Sequence, residues 1–465
     1  MEFDLERLFS DLREGELFPQ FSDTWSDRFS EAEAIVDAVC ESGGSERVSI
    51  ALDLENPEAF CSCFSALGNL DLDLAFFNPS WTDNERELAL DVAKPSWSIR
   101  DDGRGGFVAE KRSSRIGQEE GVTRGPRFLI PTGGSSGAIR FAMHRWETLL
   151  AATGGLIEHM GANRISSCCM LPLFHVSGFM QLARTAATQG RIVFGTTREF
   201  LSLHKTLCEY DDGERYLSLV STQLERLSKG AETLEAMRCY RAIYVGGGPI
   251  AVGQIEAARK AGLRLAPTYG MTETAAQIAT LEHSAFLEGG VGQGRPLPHA
   301  QLSILDETGS EVDPGTIGRI EIRSSSLFRG YMGEQERTIE RFCPPDRGLI
   351  DKDGNLTVLG RIDRVIVSGG EKIDLEEIEL ALSRSGLVDE CLAFGIEDSE
   401  WGERLAVAFV SNSSEATEKA VSEALGEKLA RYKLPKVWLK VDSLPRNEAG
   451  KVRVGCLREE VGKRF

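Results

Sequence analysis

Several features that define other classes of protein are missing from this sequence of 465 residues. No window approaches 18 uncharged apolar residues, the length that a membrane-spanning helix needs. The first residues, MEFDLERLF, are acidic and lack the basic start and apolar core of a secretory signal, so we expect a cytoplasmic protein. The ten cysteines form no C-x-x-C pair, and this spacing favours buried, reduced thiols over disulfides or a zinc site.

Positive charge is also scarce. The chain has 53 basic and 72 acidic residues and a formal net charge of -19, whereas nucleic-acid binding depends on a basic surface that neutralises phosphates. We therefore expect no nucleic-acid partner. The charge is uneven, with 22 acids and 7 bases in residues 1–100 but 11 bases and 4 acids in residues 428–465. The basic end suits a small polyanion, and it equally suits a solvated surface.

The length and the periodicity of the chain indicate two domains. A chain of this size exceeds what one hydrophobic core supports. Strand-like runs alternate with helical patterns up to about residue 360, and roughly 100 residues with a compact α+β pattern follow. The predicted fold class is α/β, with a large, layered, multi-sheet domain at residues 1–361 and a small mobile α+β domain at residues 362–465.

The segment LGRIDRVIVSGGEKIDLEEI joins the two predicted domains. Its Gly369 and Gly370 end a strand pattern and are able to absorb large backbone rotations. A helix is predicted to follow, with Asp374 as its N-cap and Glu377 as the reciprocal carboxylate of a capping box. From these residues alone, a pivot and an ordinary connection both remain open.

A glycine-rich loop follows the predicted strand RFLIPT. The loop GGSSG precedes a predicted helix that begins near His144, and this order of strand, loop and helix presents backbone N–H groups to phosphate. The Gly-Lys-Ser/Thr ending of a Walker loop is missing. Phosphate binding and simple packing of a βα turn are both compatible with the loop.

Polar loops end several further strands, which are predicted at residues 165–173, 191–194, 216–220, 241–245 and 264–266. The loops are LFHVSG, GGGPI and TYGMTET, and because ligands of such sheets collect at the carboxyl ends of strands, we expect a shared cleft. His175 in the first loop is equally explained as a core histidine. Lys451 stands near the tip of the polar turn PRNEAGKVR, where a lysine is usually solvated.

Taken in order, these segments resemble the acyl-adenylate-forming superfamily of acyl- and aryl-CoA synthetases. TGGSSGAIR resembles its phosphate loop, YGMTE its core motif, DRGLIDKDGNLTVLGRID its ribose segment and hinge, and PRNEAGK its terminal lysine loop. Two departures stand out. Ile139, Arg140 and Phe141 replace the usual Pro-Lys-Gly, and Pro344-Pro345 replaces the usual Thr-Gly before Asp346.

The resemblance implies a two-step ligase that uses ATP, Mg²⁺ and coenzyme A, with Lys451, Thr272 and Arg361 as catalytic residues and Glu273 as the metal ligand. The implied nucleotide-binding residues are Thr132, Gly133, Gly134, Ser135, Ser136, Gly137, Arg140, Gly246, Gly247, Gly248, Pro249, Tyr269, Gly270, Met271, Thr272, Asp346 and Arg361. The implied hinge and coenzyme A tunnel comprise Asp363, Gly369 and Gly370.

Within the superfamily, PLFHVSGF, SLVSTQLERL, YVGGGPI and YGMTETAAQIATL are similar to the o-succinylbenzoate-CoA ligases of menaquinone and phylloquinone biosynthesis. The loops expected to form the acid pocket supply the polar residues His175, Ser177, Ser221, Thr222, Gln223 and Gln277. A diacid needs such partners for its second carboxylate. The alternatives are another aryl- or acyl-CoA synthetase, an adenylation enzyme that loads a carrier protein, and a nucleotide-binding relic without activity.

Overall fold

The computed structural model describes most of the chain and all of the sheets. The described residues are 3–41, 47–103, 105–112, 124–133, 139–210, 214–368, 371–398, 402–413, 416–426, 428–446 and 452–464. No helix within these ranges is both long and apolar enough to cross a membrane.

Fourteen α-helices lie within the described ranges. In chain order, α1 to α14 are Leu5–Glu14, Trp25–Glu41, Pro57–Leu67, Asp83–Ala93, Trp146–Met160, Val176–Thr188, Phe200–Tyr210, Ser221–Ser228, Ala231–Arg238, Val252–Lys260, His283–Leu287, Leu375–Ser383, Glu418–Gly426 and Val454–Arg464. Short 3-10 turns occur at Pro19–Phe21, Thr272–Thr274, Ile362–Arg364 and Arg431–Lys433.

The strands number twenty-two in the same ranges. In chain order, β1 to β22 are Ser49–Asp53, Asp73–Phe76, Trp97–Asp101, Phe107–Lys111, Arg127–Gly133, Ile139–His144, Ser166–Cys169, Ile192–Phe194, Arg215–Leu219, Ala242–Val245, Leu265–Met271, Ala276–Thr280, Arg295–Pro296, Ala300–Leu305, Gly318–Ser324, Asp346–Ile350, Leu356–Arg361, Val365–Ser368, Glu371–Asp374, Glu390–Asp398, Gly402–Val410 and Val437–Lys440.

These strands form four sheets. One has six strands in the order β4-β3-β1-β2-β5-β6, and another has seven in the order β13-β12-β11-β10-β9-β7-β8. A four-stranded sheet follows the order β14-β15-β16-β17, and a five-stranded sheet contains β18 to β22. In the seven-stranded sheet, β8, β7, β9, β10 and β11 pair in parallel, so their carboxyl ends lie along one edge. This arrangement confirms the α/β class.

The chain divides into two compact units. The larger contains Met1–Ser303, Glu321–Phe342 and Asp351–Thr357, and the smaller contains Ile304–Ile320, Cys343–Ile350 and Val358–Phe465. A large first domain and a smaller second domain therefore agree with the sequence. The predicted border after residue 361 falls inside the last of these segments and stays a prediction.

Aromatic side chains fill the core of the larger unit. Phe179 meets Phe64 and Phe76 edge to face, with ring centroids 5.1 and 4.8 Å apart, and Trp146 meets Phe128 at 5.1 Å. Such pairs contribute about 0.5–1.5 kcal/mol each beyond the burial of their apolar area. The core thus joins α3, α5 and α6 to the six-stranded sheet, which fixes the start of α6.

Several local predictions need correction. His144 does not begin a helix: it ends the strand β6, and α5 begins at Trp146. A second hairpin strand, β19, lies between β18 and the predicted helix α12. Asp374 does cap this helix by accepting from the Glu376 N–H, but Glu377 binds the Lys433 ammonium at 2.6 Å instead of completing a capping box.

The cysteine prediction is correct for part of the set. All ten thiols are free, and Cys61, Cys63, Cys168 and Cys169 are buried, whereas Cys40, Cys208, Cys239 and Cys456 are exposed. Burial raises the pKa of the Cys169 thiol to about 12, so this group stays protonated and inert at neutral pH.

Candidate functional site

Two of the predicted loop segments, GGGPI and TYGMTET, and the Ser221 segment follow positions on neighbouring parallel strands of the larger unit. Val245 in β10 lies beside Leu219 in β9 and Pro267 in β11, so the segments after these positions start side by side. A Cβ atom added to Gly246 would lie 2.8 Å from the Thr268 Cγ2 atom, which explains why a glycine follows β10 here. The glycine loop 246–248 and the Tyr269 segment are therefore adjacent.

The glycine-rich loop is framed by an antiparallel hairpin. Strands β5 and β6 pair Thr132 with Arg140 and Gly133 with Ile139. The intervening residues Gly134, Ser135, Ser136 and Gly137 fall outside the described residues. The predicted strand is present as β5, and the segment after the loop is the strand β6 rather than the start of a helix, because β6 pairs with β5.

The YGMTE motif forms a bent junction between two strands. Strand β11 extends through Met271, a 3-10 turn spans Thr272–Thr274, and β12 returns antiparallel. Ala275 and Ala276 have φ angles of 51° and 77°, a region that L-residues rarely adopt and that costs about 1–3 kcal/mol for each residue. The backbone conformation here is energetically unfavourable, and such conformations recur in functional turns.

Glu273 is held inside this turn. Its residue is 6% exposed, and its Oε1 atom accepts a hydrogen bond of 2.8 Å from the Tyr331 hydroxyl. The Thr132 hydroxyl lies 3.4 Å from the same atom. Glu273 Oε2 has no hydrogen-bond partner in the described part of the chain. The carboxylate is thus fixed through one oxygen, and the other is left for a ligand.

A magnesium ion fits this carboxylate. No group of three or more His, Cys, Asp or Glu side chains that could hold a metal is found within the described ranges. Mg²⁺ is commonly bound by one or two carboxylates together with substrate phosphates, and it does not need a cage made only of protein ligands. Glu273 at a phosphate loop suits that mode of binding.

His144 supports the same turn from β6. It is fully buried, and its Nε2 atom lies 2.7 Å from the Thr272 carbonyl oxygen. Because a carbonyl only accepts, Nε2 donates, and Nδ1 accepts from the Thr148 hydroxyl at 3.0 Å. Burial lowers the pKa of His144 to about 4, the hydrogen bond to Thr272 opposes this change, and the charge of Arg329 adds to it. The imidazole is therefore neutral at pH 7.

Arg140 packs on an aromatic ring. Its guanidinium carbon lies 4.1 Å from the ring centroid of Tyr331, within the range of a cation–π contact. Burial and the neighbouring Glu273 carboxylate raise the pKa of Tyr331, so its hydroxyl remains a donor. The sequence reasoning did not identify Tyr331, which lies 58 residues beyond Glu273 and carries no local mark of its role.

A buried arginine is the second residue that the sequence reasoning did not identify. Arg184 on α6 is 4% exposed, and in the described part of the chain its side chain has one hydrogen-bond partner, the Gln277 Oε1 atom, which accepts from Nη2. No carboxylate pairs with it among the described residues. Burial lowers the pKa of Arg184 to about 10, and the group is cationic at pH 7. The position of this arginine within the apolar helical run FMQLARTAAT is the sequence feature that could have identified it.

Two residues of the same helix, and Tyr244 in β10, whose hydroxyl interacts electrostatically with Arg184, also carry unpaired polar atoms in the described structure. Gln181 Oε1, Thr185 Oγ1 and the Tyr244 hydroxyl are buried without a hydrogen-bond partner in the described structure. A buried polar atom left unpaired costs about 1–3 kcal/mol. The combination of an uncompensated cation and unpaired polar atoms is the expected property of a site for an anionic group.

The other predicted acid-pocket residues have varied environments. His175 caps the start of α6 and its ring lies 4.7 Å from that of Phe174, while Ser177 is exposed. Gln223 donates to the Met170 carbonyl at 2.8 Å and accepts from the Val220 N–H at 3.2 Å. Its side-chain amide therefore hydrogen-bonds the residues that follow β7 and β9. Ser221 and Thr222 begin α8 and are partly exposed.

Five more predicted nucleotide-site residues follow β10 or lie in β11, namely Gly247, Gly248, Pro249, Tyr269 and Gly270. Tyr269 is 9% exposed, and Gly247 has a φ of 79° that favours glycine. Gly248 and Pro249 are exposed. A Cβ atom at Gly270 would lie 1.9 Å from the Ala276 carbonyl oxygen, so that position admits no side chain. Backbone and ring surfaces, rather than charges, characterise this part of the site.

The smaller unit contains the remaining predicted residues. Asp346 begins β16, and Arg361 ends β17 with its N–H 3.4 Å from Glu376 Oε1. The preceding Gly360 has a φ of 122°, and a Cβ atom there would overlap the Glu376 carboxylate. Asp363 lies in the 3-10 turn Ile362–Arg364. The predicted residues Gly369, Gly370 and Lys451 fall outside the described residues.

Comparisons with known proteins agree with the motifs. The AMP-binding enzyme family matches residues 49–332, and the AMP-binding enzyme C-terminal domain matches residues 377–451. The 2-succinylbenzoate--CoA ligase of Bacillus thuringiensis subsp. konkukian is 32% identical over 355 residues, which cover 74% of this chain and 72% of the relative. The enzyme of the same name from Bacillus licheniformis is 32% identical over 343 residues, covering 71% and 67%.

A solved structure has the same fold along nearly the whole chain. It is o-succinylbenzoate CoA synthetase from Bacillus subtilis in complex with the acyl-adenylate intermediate OSB-AMP, with a TM-score of 0.77 and 22% identity, covering 99% of this chain and 93% of that one. A fatty acyl CoA synthetase of Mycobacterium tuberculosis has a TM-score of 0.68 and 20% identity, and each chain is covered completely.

Proposed function

The chain belongs to the AMP-binding enzyme family, and from that premise we propose that it is an ATP-dependent acid-CoA ligase whose acid is o-succinylbenzoate. Its cosubstrates are ATP and coenzyme A, and Mg²⁺ is its metal. Such an activity belongs to menaquinone or phylloquinone biosynthesis. A cytoplasmic location is part of the proposal, supported by ten free thiols that suit a reducing compartment.

The reaction has two displacement steps. In the first, an oxygen of the acid's carboxylate bonds to the α-phosphorus of ATP, the bond from that phosphorus to the β-phosphate bridge breaks, and pyrophosphate leaves. In the second, the sulfur of coenzyme A bonds to the acyl carbon, the carbon–oxygen bond breaks, AMP leaves and the thiol proton passes to solvent. The first step joins two anions, so it depends on orientation and on stabilisation of negative charge.

The larger unit supplies the groups for the nucleotide. Glu273 would hold Mg²⁺, which would supply positive charge that neutralises and orients the phosphates. Thr272 contacts the α-phosphate, and the hairpin with Thr132 and Arg140 carries the glycine loop for the other phosphates. The loop Gly246 to Pro249 lines the adenine pocket together with Tyr269.

Arg184 is the observation that supports the choice of acid. o-Succinylbenzoate carries a second carboxylate that stays unreacted and is buried with the ring. A buried carboxylate without a partner is costly, and a guanidinium without a carboxylate is costly as well, so binding relieves both. Arg184 has no carboxylate partner in the described structure, its guanidinium donates to Gln277 Oε1, and its own helix carries the unpaired polar atoms of Gln181 and Thr185. A plain alkyl or benzoic acid leaves this cation unpaired.

The smaller unit supplies the remaining groups in this proposal. Asp346 binds the ribose hydroxyls, Arg361 lies beside ribose and phosphate, and Lys451 stabilises charge during adenylation. The small domain then turns about Asp363 and presents Gly369 and Gly370 to the thiol of coenzyme A. The support for these assignments is the match of their motifs, together with the C-terminal family match at residues 377–451.

A coenzyme A consumption assay tests the proposal. The chain is incubated with ATP and Mg²⁺ and with o-succinylbenzoate, benzoate, phenylbutyrate or a medium-chain fatty acid. We expect clear preference for o-succinylbenzoate, because a site built around polar partners rejects an analogue that leaves them unpaired. Equal turnover of a monocarboxylic acid contradicts the substrate, and release of pyrophosphate without consumption of coenzyme A favours an enzyme that loads a carrier protein.

A further inference from the structure

One irregular segment, residues 326–332, ties the metal-binding turn to the phosphate-loop hairpin. The Phe328 N–H donates to the carbonyl of Glu273 at 2.9 Å, and the Ser326 hydroxyl donates to the carbonyl of Thr274 at 3.0 Å. The segment then runs antiparallel to β6, where the Met143 N–H donates to Gly330 and the Met332 N–H donates to Phe141, each at 2.9 Å. Its backbone is therefore fixed from both sides.

Tyr331 lies in this segment, and its side chain contacts one residue with its hydroxyl and another with its ring. Its hydroxyl donates to Glu273 Oε1 at 2.8 Å, and its ring face lies 4.1 Å below the Arg140 guanidinium. The backbone of Tyr331 is also held, because its N–H donates to the Glu334 carboxylate at 3.2 Å. Phe328 packs edge to face on the ring, with centroids 4.8 Å apart. The ring has little freedom to turn away.

This geometry distinguishes the two oxygens of Glu273. A hydrogen bond to a carboxylate is stronger than one between neutral groups, and it selects one orientation of the χ3 torsion. With Oε1 held by Tyr331, Oε2 is directed away from the hydroxyl. A metal ligand oriented by a neighbouring donor binds more tightly, and loss of such a donor typically lowers metal affinity about 10–100-fold.

We propose that Tyr331 is a positioning residue that sets the Glu273 carboxylate for Mg²⁺ with its hydroxyl and sets Arg140 for the nucleotide phosphates with its ring. The inference rests on the proposed function, because the metal and the nucleotide come from it. It is independent of which acid the enzyme uses. Tyr331 thereby connects the Arg140 cation to the Glu273 carboxylate.

Equilibrium binding in the absence of any acid tests the role of the hydroxyl. Mn²⁺ replaces Mg²⁺ as a paramagnetic probe, and α,β-methylene ATP replaces ATP because its α–β bridge is not cleaved. Tyr331→Phe keeps the ring and removes the donor, and we expect it to weaken Mn²⁺ binding to the nucleotide complex about tenfold or more, measured by electron paramagnetic resonance. Tyr210→Phe removes the same atom from a tyrosine that is 52% exposed and serves as the matched control.

The ring is tested by a double-mutant cycle on the affinity for the nucleotide analogue. Tyr331→Leu should bind it more weakly than Tyr331→Phe, because leucine offers no π face to Arg140. This extra loss should disappear when both changes are made in an Arg140→Gln background. Folding of each variant is checked by its circular dichroism spectrum and its unfolding midpoint.

The outcomes are distinguishable from those of the proposed function. Wild-type Mn²⁺ affinity in a folded Tyr331→Phe protein overturns the role of the hydroxyl, and an extra leucine loss that persists in the Arg140→Gln background overturns the role of the ring. Failure of the unmodified protein to bind the Mn²⁺ nucleotide complex at all overturns the nucleotide site itself. Failure to use o-succinylbenzoate leaves both binding results unchanged.

Discussion

Protonation of His144 should destabilise the larger unit in mildly acidic solution. The imidazole is buried, its pKa falls from 6.5 to about 4, and its Nδ1 atom accepts from Thr148 while Nε2 donates to Thr272. Because the pKa is lower in the folded state, the unfolded chain binds the proton first as the pH falls. The stability is therefore complete above pH 6.5 and is lost progressively between pH 6.5 and 4.

The size of the effect follows from the two pKa values. Each pH unit between them corresponds to roughly 1.4 kcal/mol, so the complete loss is about 3 kcal/mol. At pH 5 the loss is about 2 kcal/mol by the same relation. His299, whose pKa burial also lowers to about 4, titrates in the same interval, so the effect must be measured as a difference between two proteins.

His144→Gln provides that difference, since glutamine keeps an N–H donor for the Thr272 carbonyl but does not titrate. Guanidinium unfolding of both proteins is followed by tryptophan fluorescence at pH 7.5 and pH 5. We expect the wild-type protein to lose about 2 kcal/mol more than the variant between these values. Equal losses in the two proteins would mean that His144 is already protonated in the folded state or accessible to water, and would refute the reasoning.

Three further changes address the chemistry. Arg184→Gln should lower kcat/KM for o-succinylbenzoate roughly 100-fold, in the range for loss of a buried charge partner, while any rate with phenylbutyrate stays within about twofold; a parallel loss with both acids would indicate a structural role. Lys451→Ala should slow acyl-AMP formation, measured as pyrophosphate release, by about two to three orders of magnitude. Preformed acyl-AMP should still react with coenzyme A at a near-normal rate, and equal loss of both steps would contradict the division of labour. Gly370→Leu should leave pyrophosphate release intact and slow the release of AMP with coenzyme A, and lost pyrophosphate release from a folded variant would contradict it.

The sequence predicted the parts of the site that local pattern encodes. The strands ending at Val245 and Phe194 were predicted with the correct end points, because apolar runs bounded by glycine specify buried parallel strands. Strand β6 was not predicted, since Ile139–His144 becomes a strand only by pairing with β5, and the helical pattern after it was extended backwards over His144. Glu377 had the correct spacing for a capping box, but Lys433, 56 residues away, is the stronger partner.

The site residues that escaped prediction are those defined by contacts distant in sequence. Tyr331 acquires its role from Glu273 and Arg140, which belong to two other elements. Gln223 is polar and lies at a strand end, as an acid-binding residue would, yet its amide is taken up by backbone groups that the sequence does not place near it. A polar residue in the correct loop indicates a candidate, and only the tertiary partners decide how its atoms are used.

The register of the β5–β6 hairpin limits how the glycine loop can change in length during evolution. Thr132 faces Arg140 and Gly133 faces Ile139, so five residues, 134–138, close the loop. Insertions or deletions within those five leave both strands unchanged. Deletion of Arg140 from β6 would instead move every later side chain of the strand to the opposite face of the sheet, placing the apolar Phe141 where Arg140 now contacts the Tyr331 ring. Related chains should therefore keep the spacing between Arg140 and His144.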